Sequence, residues 1–341
     1  MTTGVSTPPT TTRSWRWVAG VWAVVAGFAA VTVFCSFEVG LPLRDPEGRM
    51  FRGRLTSAVT WLTVLIVAQA VVRSLRARRS LRGVPEALLA HWPRERVVLV
   101  FSGLLAYHLV YVCYRNLKSW NAFRTLRDEE LTTFELWLFA GHSPAGVLHD
   151  LLGQGAAALV LVVVYRSFTY LVPFSVIASL VLVERVRDAY VFLTAAMWVW
   201  ILGAASYYLL PSLGPFAETP GDFVGLPDTA ITESQTDYLS ERAHILGDSS
   251  AGDAFASLGA FASLHVAFTC MVLLMLRHYR APGALQLVGL AYLVGTMVAT
   301  VYFGWHYVVD DVAGVMIAVA SVALARMIVG GGRRDPDDDH A

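Results

Sequence analysis

The segment Gly304-Trp305-His306-Tyr307-Val308-Val309-Asp310 separates two apolar runs of the sequence, residues 284–303 and 308–329. Each run approaches the ~20 residues that a helix needs to cross a bilayer. A second stretch, Ala262-Ser263-Leu264-His265, opens another apolar run at 261–277. Histidine and carboxylate side chains at the ends of membrane spans are costly unless they have a function. These stretches therefore indicate both the fold class and the place where chemistry is expected.

The composition extends this prediction to the whole chain. Of the 341 residues, 56% are hydrophobic and 15% are charged. We predict an all-α integral membrane protein, a polytopic helical bundle of about eight spans that includes a six-helix core. The predicted spans are residues 15–37, 57–72, 97–114, 156–183, 188–210, 261–277, 284–303 and 308–329. A net charge of zero gives no support for a nucleic-acid partner.

The predicted organisation has four parts. Residues 1–14 form a disordered cytoplasmic tail, and 15–96 hold two accessory spans and a basic cytoplasmic loop. Residues 97–329 form the six-span catalytic core, and 330–341 form a second disordered tail. Within the core, part of 133–155 is expected to be a re-entrant or interfacial helix, because polar residues interrupt it.

Basic residues predict the orientation of the chain in the membrane. Four clusters fall on one side of an eight-span arrangement: Arg73, Arg76, Arg78, Arg79 and Arg82; Arg185 and Arg187; Arg277 and Arg280; Arg333 and Arg334. That side should be the cytoplasm. We therefore expect a multi-pass protein of the cell membrane whose active site faces the extracytoplasmic side.

Two features of the outer side complete this prediction. Four arginines there oppose the rule: Arg44, Arg49, Arg52 and Arg54. They could contact anionic lipid or substrate, or the first span could be misassigned. The acidic loop 211–260 is expected to be a lid or an irregular cap rather than a compact subdomain, because it is rich in Gly, Pro and Ser.

His306 and Asp310 are the central candidates for catalysis. Their spacing of four places both side chains on one face of a helix, within hydrogen-bonding reach. A carboxylate bonded to one ring nitrogen fixes the tautomer and leaves the other nitrogen free to attack. His265, at the start of a span on the same side, could protonate a leaving oxygen. Nucleophile, orienting group and acid are the groups that a two-step phosphoryl transfer requires.

Both stretches resemble the last two motifs of the type-2 phosphatidic acid phosphatase superfamily. Ser263-Leu264-His265 resembles its Pro-Ser-Gly-His element, with Ala262 in place of Pro and Leu264 in place of Gly. The run from Val301 to Asp310 resembles its His-x-x-x-Asp element and the lead-in to it. The resemblance extends to Ala313-Gly314 and covers about residues 97–329.

The resemblance implies a role for each residue of the two motifs. His306 would form a phosphohistidine, Asp310 would orient it, and His265 would be the general acid. Ser263 would help to hold the phosphate, and Tyr302 of the lead-in is a further substrate-binding candidate. The resemblance implies no metal and no cofactor.

Departures from the superfamily pattern point to one of its branches. Thr300 stands where the phosphatases have Arg, and the stretch from Tyr207 to Phe216 has no cation where they have a Lys and Arg-Pro element. These departures are similar to the inositol phosphorylceramide synthase and sphingomyelin synthase branch, which moves a phospho-headgroup between lipids. A phosphate still needs positive charge. Arg115 and Lys118 are the best candidates to supply it, and Arg242 is a weaker one.

Several functions remain open at this point. The substrate would be a phospholipid or a polyprenyl phosphate in the bilayer, and the phosphoryl acceptor would be a lipid hydroxyl or water. A lipid transporter or a silent assembly subunit is the alternative of another class. Polar residues that gather at one membrane face, rather than at mid-bilayer, favour the enzyme. Oligomeric state is not readable from the sequence.

Overall fold

The structure is a computed structural model that describes residues 16–77 and 81–330, and its regular secondary structure there is helical throughout. The predicted tails at 1–14 and 331–341 lie outside these ranges, as do Arg78 and Arg79, whereas Gly330 ends a helix.

The helices follow one another through the described chain. The first seven are α1 (Arg16–Val39), α2 (Arg54–Arg76), α3 (Val84–His91), α4 (Arg94–Trp120), α5 (Asp128–Leu138), α6 (Pro144–Leu152) and α7 (Ala156–Leu182). The others are α8 (Val186–Leu209), α9 (Pro215–Glu218), α10 (Ala230–Gly247), α11 (Leu264–His278), α12 (Gly283–Tyr302) and α13 (Val308–Gly330).

Seven described helices have the length and apolar composition needed to cross a membrane. They are α1, α2, α4, α7, α8, α12 and α13. α11 is apolar but has only 15 residues, which gives it a length of about 22 Å. Together these eight helices match the predicted spans, and the predicted fold class, an all-α polytopic membrane bundle, is confirmed.

The polar stretch before α7 forms two short helices. α5 has 11 residues and α6 has nine, so neither is long enough to cross the bilayer core. Their lengths fit the expectation that 133–155 holds no further crossing, and the re-entrant or interfacial placement stays a prediction.

The expectation of an irregular cap over 211–260 was wrong in part, because α10 is a regular helix of 18 residues. Its start is fixed by a capping box in which Thr229 and Thr232 each bond the other's backbone N–H. Apart from the terminal Gly247, the Gly and Pro residues that suggested irregular structure lie in the segments on either side of α10.

α8 lies at the centre of the bundle and packs against α4, α11 and α13. α11 and α13 meet closely at Gly314, where an added Cβ would lie 2.5 Å from the carbonyl oxygen of Ser263. Only glycine leaves room for that approach. The backbone N–H of Ser263 donates to the Asp310 carbonyl at 3.0 Å and fastens the two helix ends together.

Three of the four outer arginines have partners for their side chains within the protein, and Arg49 pairs with the neighbouring Glu47. The Arg44 guanidinium donates to the carbonyls of Ser249 and Ala254 at 2.8 and 2.7 Å. Arg54 donates to the Tyr111 hydroxyl at 3.1 Å. Arg44 therefore fastens the segment after α10 to the bundle rather than contacting lipid.

Candidate active site

The turn between α12 and α13 carries His306. Gly304 makes the bend with a φ of 67°, in the left-handed region that favours glycine. A Cβ at this position would also lie 2.4 Å from the ring of Phe223. The N–H of Trp305 donates to the Thr300 carbonyl at 3.0 Å and closes the turn. His306 is thereby held inside the bundle, where 5% of it is exposed.

His306 and Asp310 are in contact. Nδ1 of His306 lies 3.3 Å from Oδ2 of Asp310, which is fully buried and also accepts from the Tyr307 N–H at 3.0 Å. His306 precedes the first residue of α13, so the pair joins a turn to a helix rather than lying on one helix face. A carboxylate at Nδ1 favours the tautomer that carries its proton there, which leaves the Nε2 lone pair free.

The second histidine faces the first across the ends of α11 and α13. The ring centroids of His265 and His306 are 6.2 Å apart. His265 is packed between two aromatic rings of α7, with Tyr165 stacked at 4.3 Å and Phe168 at 4.2 Å. Its ring orientation is therefore set by α7.

The environment of His306 favours the neutral imidazole. Burial lowers the pKa of His306 to about 3, and the charge of Lys118 acts in the same direction, while the Ala260 carbonyl opposes both. The ring is therefore unprotonated near pH 7, as a nucleophile must be.

Lys118 and Arg115 lie in the last two turns of α4, and Lys118 is the one that acts on the histidines. The Lys118 ammonium acts electrostatically on both His265 and His306, and it lies 5.1 Å from the ring centroid of Tyr207. The Arg115 guanidinium donates to the Ser257 hydroxyl at 2.9 Å. Lys118 is the only lysine of the chain, since the other 25 of its 26 Lys and Arg residues are arginine. The structure thus gathers both predicted cations near the histidine pair.

Tyr302 does not belong with these groups. Its hydroxyl donates to the Gly153 carbonyl at 2.8 Å, and its own carbonyl lies 2.8 Å from Nε2 of His149. These bonds secure α6 to α12. The motif gave the position of Tyr302 but not the direction of its side chain, and its role in substrate binding stays a prediction.

Ser263 and Arg242 are also placed differently from the prediction. Ser263 is fully buried, and its hydroxyl caps α11 at the Val266 N–H, 3.5 Å away, and bonds Asp311. Arg242 donates to the carbonyl of Ala122 at 3.2 Å. In the structure Ser263 positions the start of α11 and Arg242 anchors α10, and their roles in substrate binding stay predictions.

Asp311 lies beside Asp310 in the first turn of α13 and is also buried. Its carboxylate accepts from the Thr300 hydroxyl at 3.0 and 3.2 Å. Thr300 is the residue that stands in place of an arginine of the resembling phosphatases. The position is thus filled by a neutral side chain and a buried carboxylate, so the positive charge of the site comes from α4.

The sequence prediction missed two carboxylates of α5 that lie close to the turn that carries His306. Glu135 accepts from the Val308 N–H at 2.6 Å, and Asp128 accepts from the Gly214 N–H at 2.9 Å. Thr132 lies between them on the helix and bonds the Tyr307 hydroxyl at 3.0 Å. Asp128, Thr132 and Glu135 are spaced by four and then three residues, which places them on one helix face. This spacing was the signal in the sequence that could have identified them. Burial raises the pKa of Glu135 to about 7, and nearby Asp310 adds to this effect.

α10 covers the same turn from another side. The Gln235 amide donates to the Phe303 carbonyl at 2.7 Å, and the Tyr238 ring lies 5.8 Å from Trp305. The helix therefore forms a cover over the turn that carries His306.

A comparison with protein-family models matches residues 129–324 to the PAP2 superfamily. The match includes both histidine stretches and begins inside α5, so α4 with its two cations precedes it. No curated protein and no solved structure gives a significant match. The superfamily indicates a phosphatase of lipid-type phosphoesters, and the apolar helices indicate a multi-pass membrane protein. Because the family match spans more than half of the chain, this protein belongs to the PAP2 superfamily.

Proposed function

We propose that this protein transfers a phosphoryl unit from a phosphorylated lipid, through a phosphohistidine at His306, to a lipid hydroxyl. Two observations support this proposal most directly. His306 and Asp310 form a buried contact of 3.3 Å, and the ring centroid of His265 lies 6.2 Å from that of His306. This arrangement offers a nucleophile, its orienting group and an acid at one end of the bundle.

The first step forms the phosphoenzyme. Nε2 of His306 attacks phosphorus, the bond from phosphorus to the leaving oxygen breaks, and His265 gives that oxygen its proton. Asp310 holds the Nδ1 proton and stabilises the positive charge that develops on the ring.

The second step regenerates the enzyme. The hydroxyl of the acceptor attacks phosphorus, His265 takes up its proton, and the phosphorus–nitrogen bond breaks. Lys118 and Arg115 balance the negative charge on the phosphoryl oxygens in both steps. With water as the acceptor, the same steps describe a hydrolase.

The choice of a lipid acceptor rests on the environment of Thr300. An arginine there would face the buried Asp311 carboxylate, whereas Thr300 bonds it at 3.0 Å. The site thus departs from the phosphatase pattern at the position that would hold the leaving phosphate. This departure is shared with the lipid-headgroup transferases that the sequence resembles.

The test is phosphate release and lipid product formation by the purified protein. A panel of lipid phosphates would be supplied with a chelator, with and without lipid hydroxyl acceptors, beside His306→Ala. We expect chelator-resistant turnover that is lost in the variant, and a new phospholipid that appears only with an acceptor. Phosphate release alone would support the hydrolase. Activity that survives the substitution would overturn the proposal.

A further inference from the structure

A third cation, Arg54 of α2, contacts α4 at a position nearer the start of α4 than Arg115 and Lys118. Arg54, at the start of α2, donates from Nη1 to the Tyr111 hydroxyl at 3.1 Å, and its Cζ lies 4.1 Å from the centre of that ring. The Arg115 guanidinium, four residues further along α4, also lies within hydrogen-bonding reach of this hydroxyl. Two positive charges therefore meet at one neutral oxygen.

No carboxylate within the described residues forms an ion pair with either Arg54 or Arg115. Nε of Arg115 is also buried without a hydrogen-bond partner. Arg73, by contrast, pairs with Glu184 at 2.5 Å, and the buried Arg96 donates to the backbone carbonyls of Val183 and Glu184. Two guanidinium groups held together without a counter-ion repel each other, so the arrangement favours an anion between them.

Phosphate is the anion that suits these donors. The planar fork of arginine matches phosphate oxygens with two parallel hydrogen bonds, and a phenol adds another donor. Tyr111 also packs against Trp200 and Tyr114, at centroid distances of 5.5 and 5.8 Å, so the surroundings of its ring are aromatic. Charge-assisted hydrogen bonds are strongest in such surroundings.

Tyr111, Arg115 and Lys118 are spaced by four and three residues, so they follow one face of α4. The row leads from Arg54 to the ammonium that acts on His306. We infer that Arg54, Tyr111 and Arg115 form a second phosphate subsite, which is occupied while the reacting phosphate lies at His306. The inference rests on the proposed function. It predicts that the protein binds two phosphate groups at the same time.

The second phosphate has two chemical sources. It can belong to the reacting lipid itself, as in a lipid diphosphate, or to a separate anionic phospholipid that lies beside it. Both would place the same oxygens against the same guanidinium groups. Only the dependence on substrate and on membrane composition separates them.

The experiment compares Arg54→Gln with wild type in nanodiscs. Arg49 gives the matched control, because it is an exposed arginine on the same segment that pairs with Glu47. Each protein receives a lipid monophosphate or the diphosphate with the same chain, in zwitterionic discs with or without an anionic phospholipid. Arg54→Lys, which keeps the charge but loses the fork, should fall between wild type and Arg54→Gln.

We expect Arg54→Gln to raise KM about 10-fold, the loss of one charge-assisted bond, with little change in kcat and no change in Arg49→Gln. A rise with the diphosphate only assigns the second phosphate to the same lipid. A rise that appears only with anionic phospholipid assigns it to a second lipid. Unchanged KM in all four conditions, or an equal rise with the monophosphate in zwitterionic discs, would overturn the inference.

Direct binding separates this inference from the proposed function. Inorganic pyrophosphate would be titrated into wild type, His306→Ala and Arg54→Gln, after each is shown to be folded by size exclusion and thermal unfolding. Weaker binding in Arg54→Gln alone supports the subsite, even if His306→Ala should retain turnover and the proposed function should fail. Equal binding by Arg54→Gln and wild type would count against the subsite.

Discussion

At the scale of single residues, the contact between His306 and Asp310 supplies the conditions that the proposed nucleophile requires. Burial holds the pKa of His306 at about 3, so the ring is neutral, and the Asp310 carboxylate selects its tautomer. Both conditions come from the surroundings of the ring and not from its chemistry alone.

Asp310→Asn tests the tautomer. The amide has nearly the same shape, but its NH₂ group can face Nδ1 and move the imidazole proton to Nε2. We expect kcat to fall by about 10²- to 10⁴-fold, the usual contribution of proton placement in catalysis. Asp150→Asn, on the exposed side of α6, is the matched control. Wild-type kcat in Asp310→Asn would show that Asp310 has no orienting role.

Lys118 is the cation that we propose to contribute most to charge stabilisation at the site. Its ammonium acts on both histidines, and no other lysine exists in the chain. Lys118→Met keeps the length of the side chain and removes the charge. We expect kcat/KM to fall by about 10²-fold or more, the cost of losing one charge-stabilising group, with partial recovery in Lys118→Arg. Steady-state kinetics on one lipid phosphate would measure this, and equal activity of Lys118→Met and wild type would exclude the assignment.

The sequence predicted part of the site, and the rest depended on side-chain direction. His306, Asp310, His265, Arg115 and Lys118 come together as their spacing and polarity suggested. For Tyr302 and Ser263 the motif supplied a position, but packing turned each side chain toward a structural bond. No pattern of residues along the chain carries that information.

At the scale of elements, α5 stabilises the turn that carries His306 through hydrogen bonds. Its carboxylates accept from backbone N–H groups on two separate segments, at Val308 and at Gly214. The Glu135 bond also satisfies one of the free N–H groups at the start of α13. The sequence prediction of a re-entrant or interfacial helix covered part of 133–155 and did not assign a role to the carboxylates of α5.

Glu135→Gln tests this brace through its pH dependence. Burial raises the pKa of Glu135 in the folded protein to about 7, above the unfolded value of about 4.3. The wild type therefore loses stability as pH rises from about 4.3 through 7, while a glutamine keeps the bond to Val308 and does not titrate.

Thermal unfolding of both proteins across this pH range measures the effect. We expect the stability of Glu135→Gln relative to wild type to increase as pH rises, by about 1 kcal/mol or roughly 2–4 °C in Tm at neutral pH. A difference in Tm that stays constant between pH 4 and pH 8 would show that Glu135 does not titrate in the fold.

At the scale of the whole molecule, the length of the apolar runs predicted the bundle, because a bilayer fixes how long a spanning helix must be. The cap was less predictable. α10 is held by polar contacts, namely a capping box and bonds such as Gln235 to Phe303. Polar contacts do not produce the hydrophobic period in the sequence that identifies a buried helix.

The orientation of the bundle is a prediction of the basic clusters. Ser250, in the connection between α10 and α11, and Ala284, in the first turn of α12, are exposed at opposite ends. After replacement of Cys35, Cys113 and Cys270, each would be changed singly to cysteine. On intact cells we expect an impermeant thiol reagent to label Ser250→Cys and not Ala284→Cys. The reverse pattern would place the active site in the cytoplasm.

The most direct test of the mechanism is to trap the phosphoenzyme. Purified protein would be mixed with a lipid phosphate labelled at phosphorus, quenched within milliseconds in alkali, and digested for mass spectrometry. We predict an acid-labile, alkali-stable phosphoryl group on His306, formed in the presence of chelator and absent from His306→Ala. Turnover at the wild-type rate by His306→Ala, or a label on any other residue, would contradict the phosphohistidine mechanism.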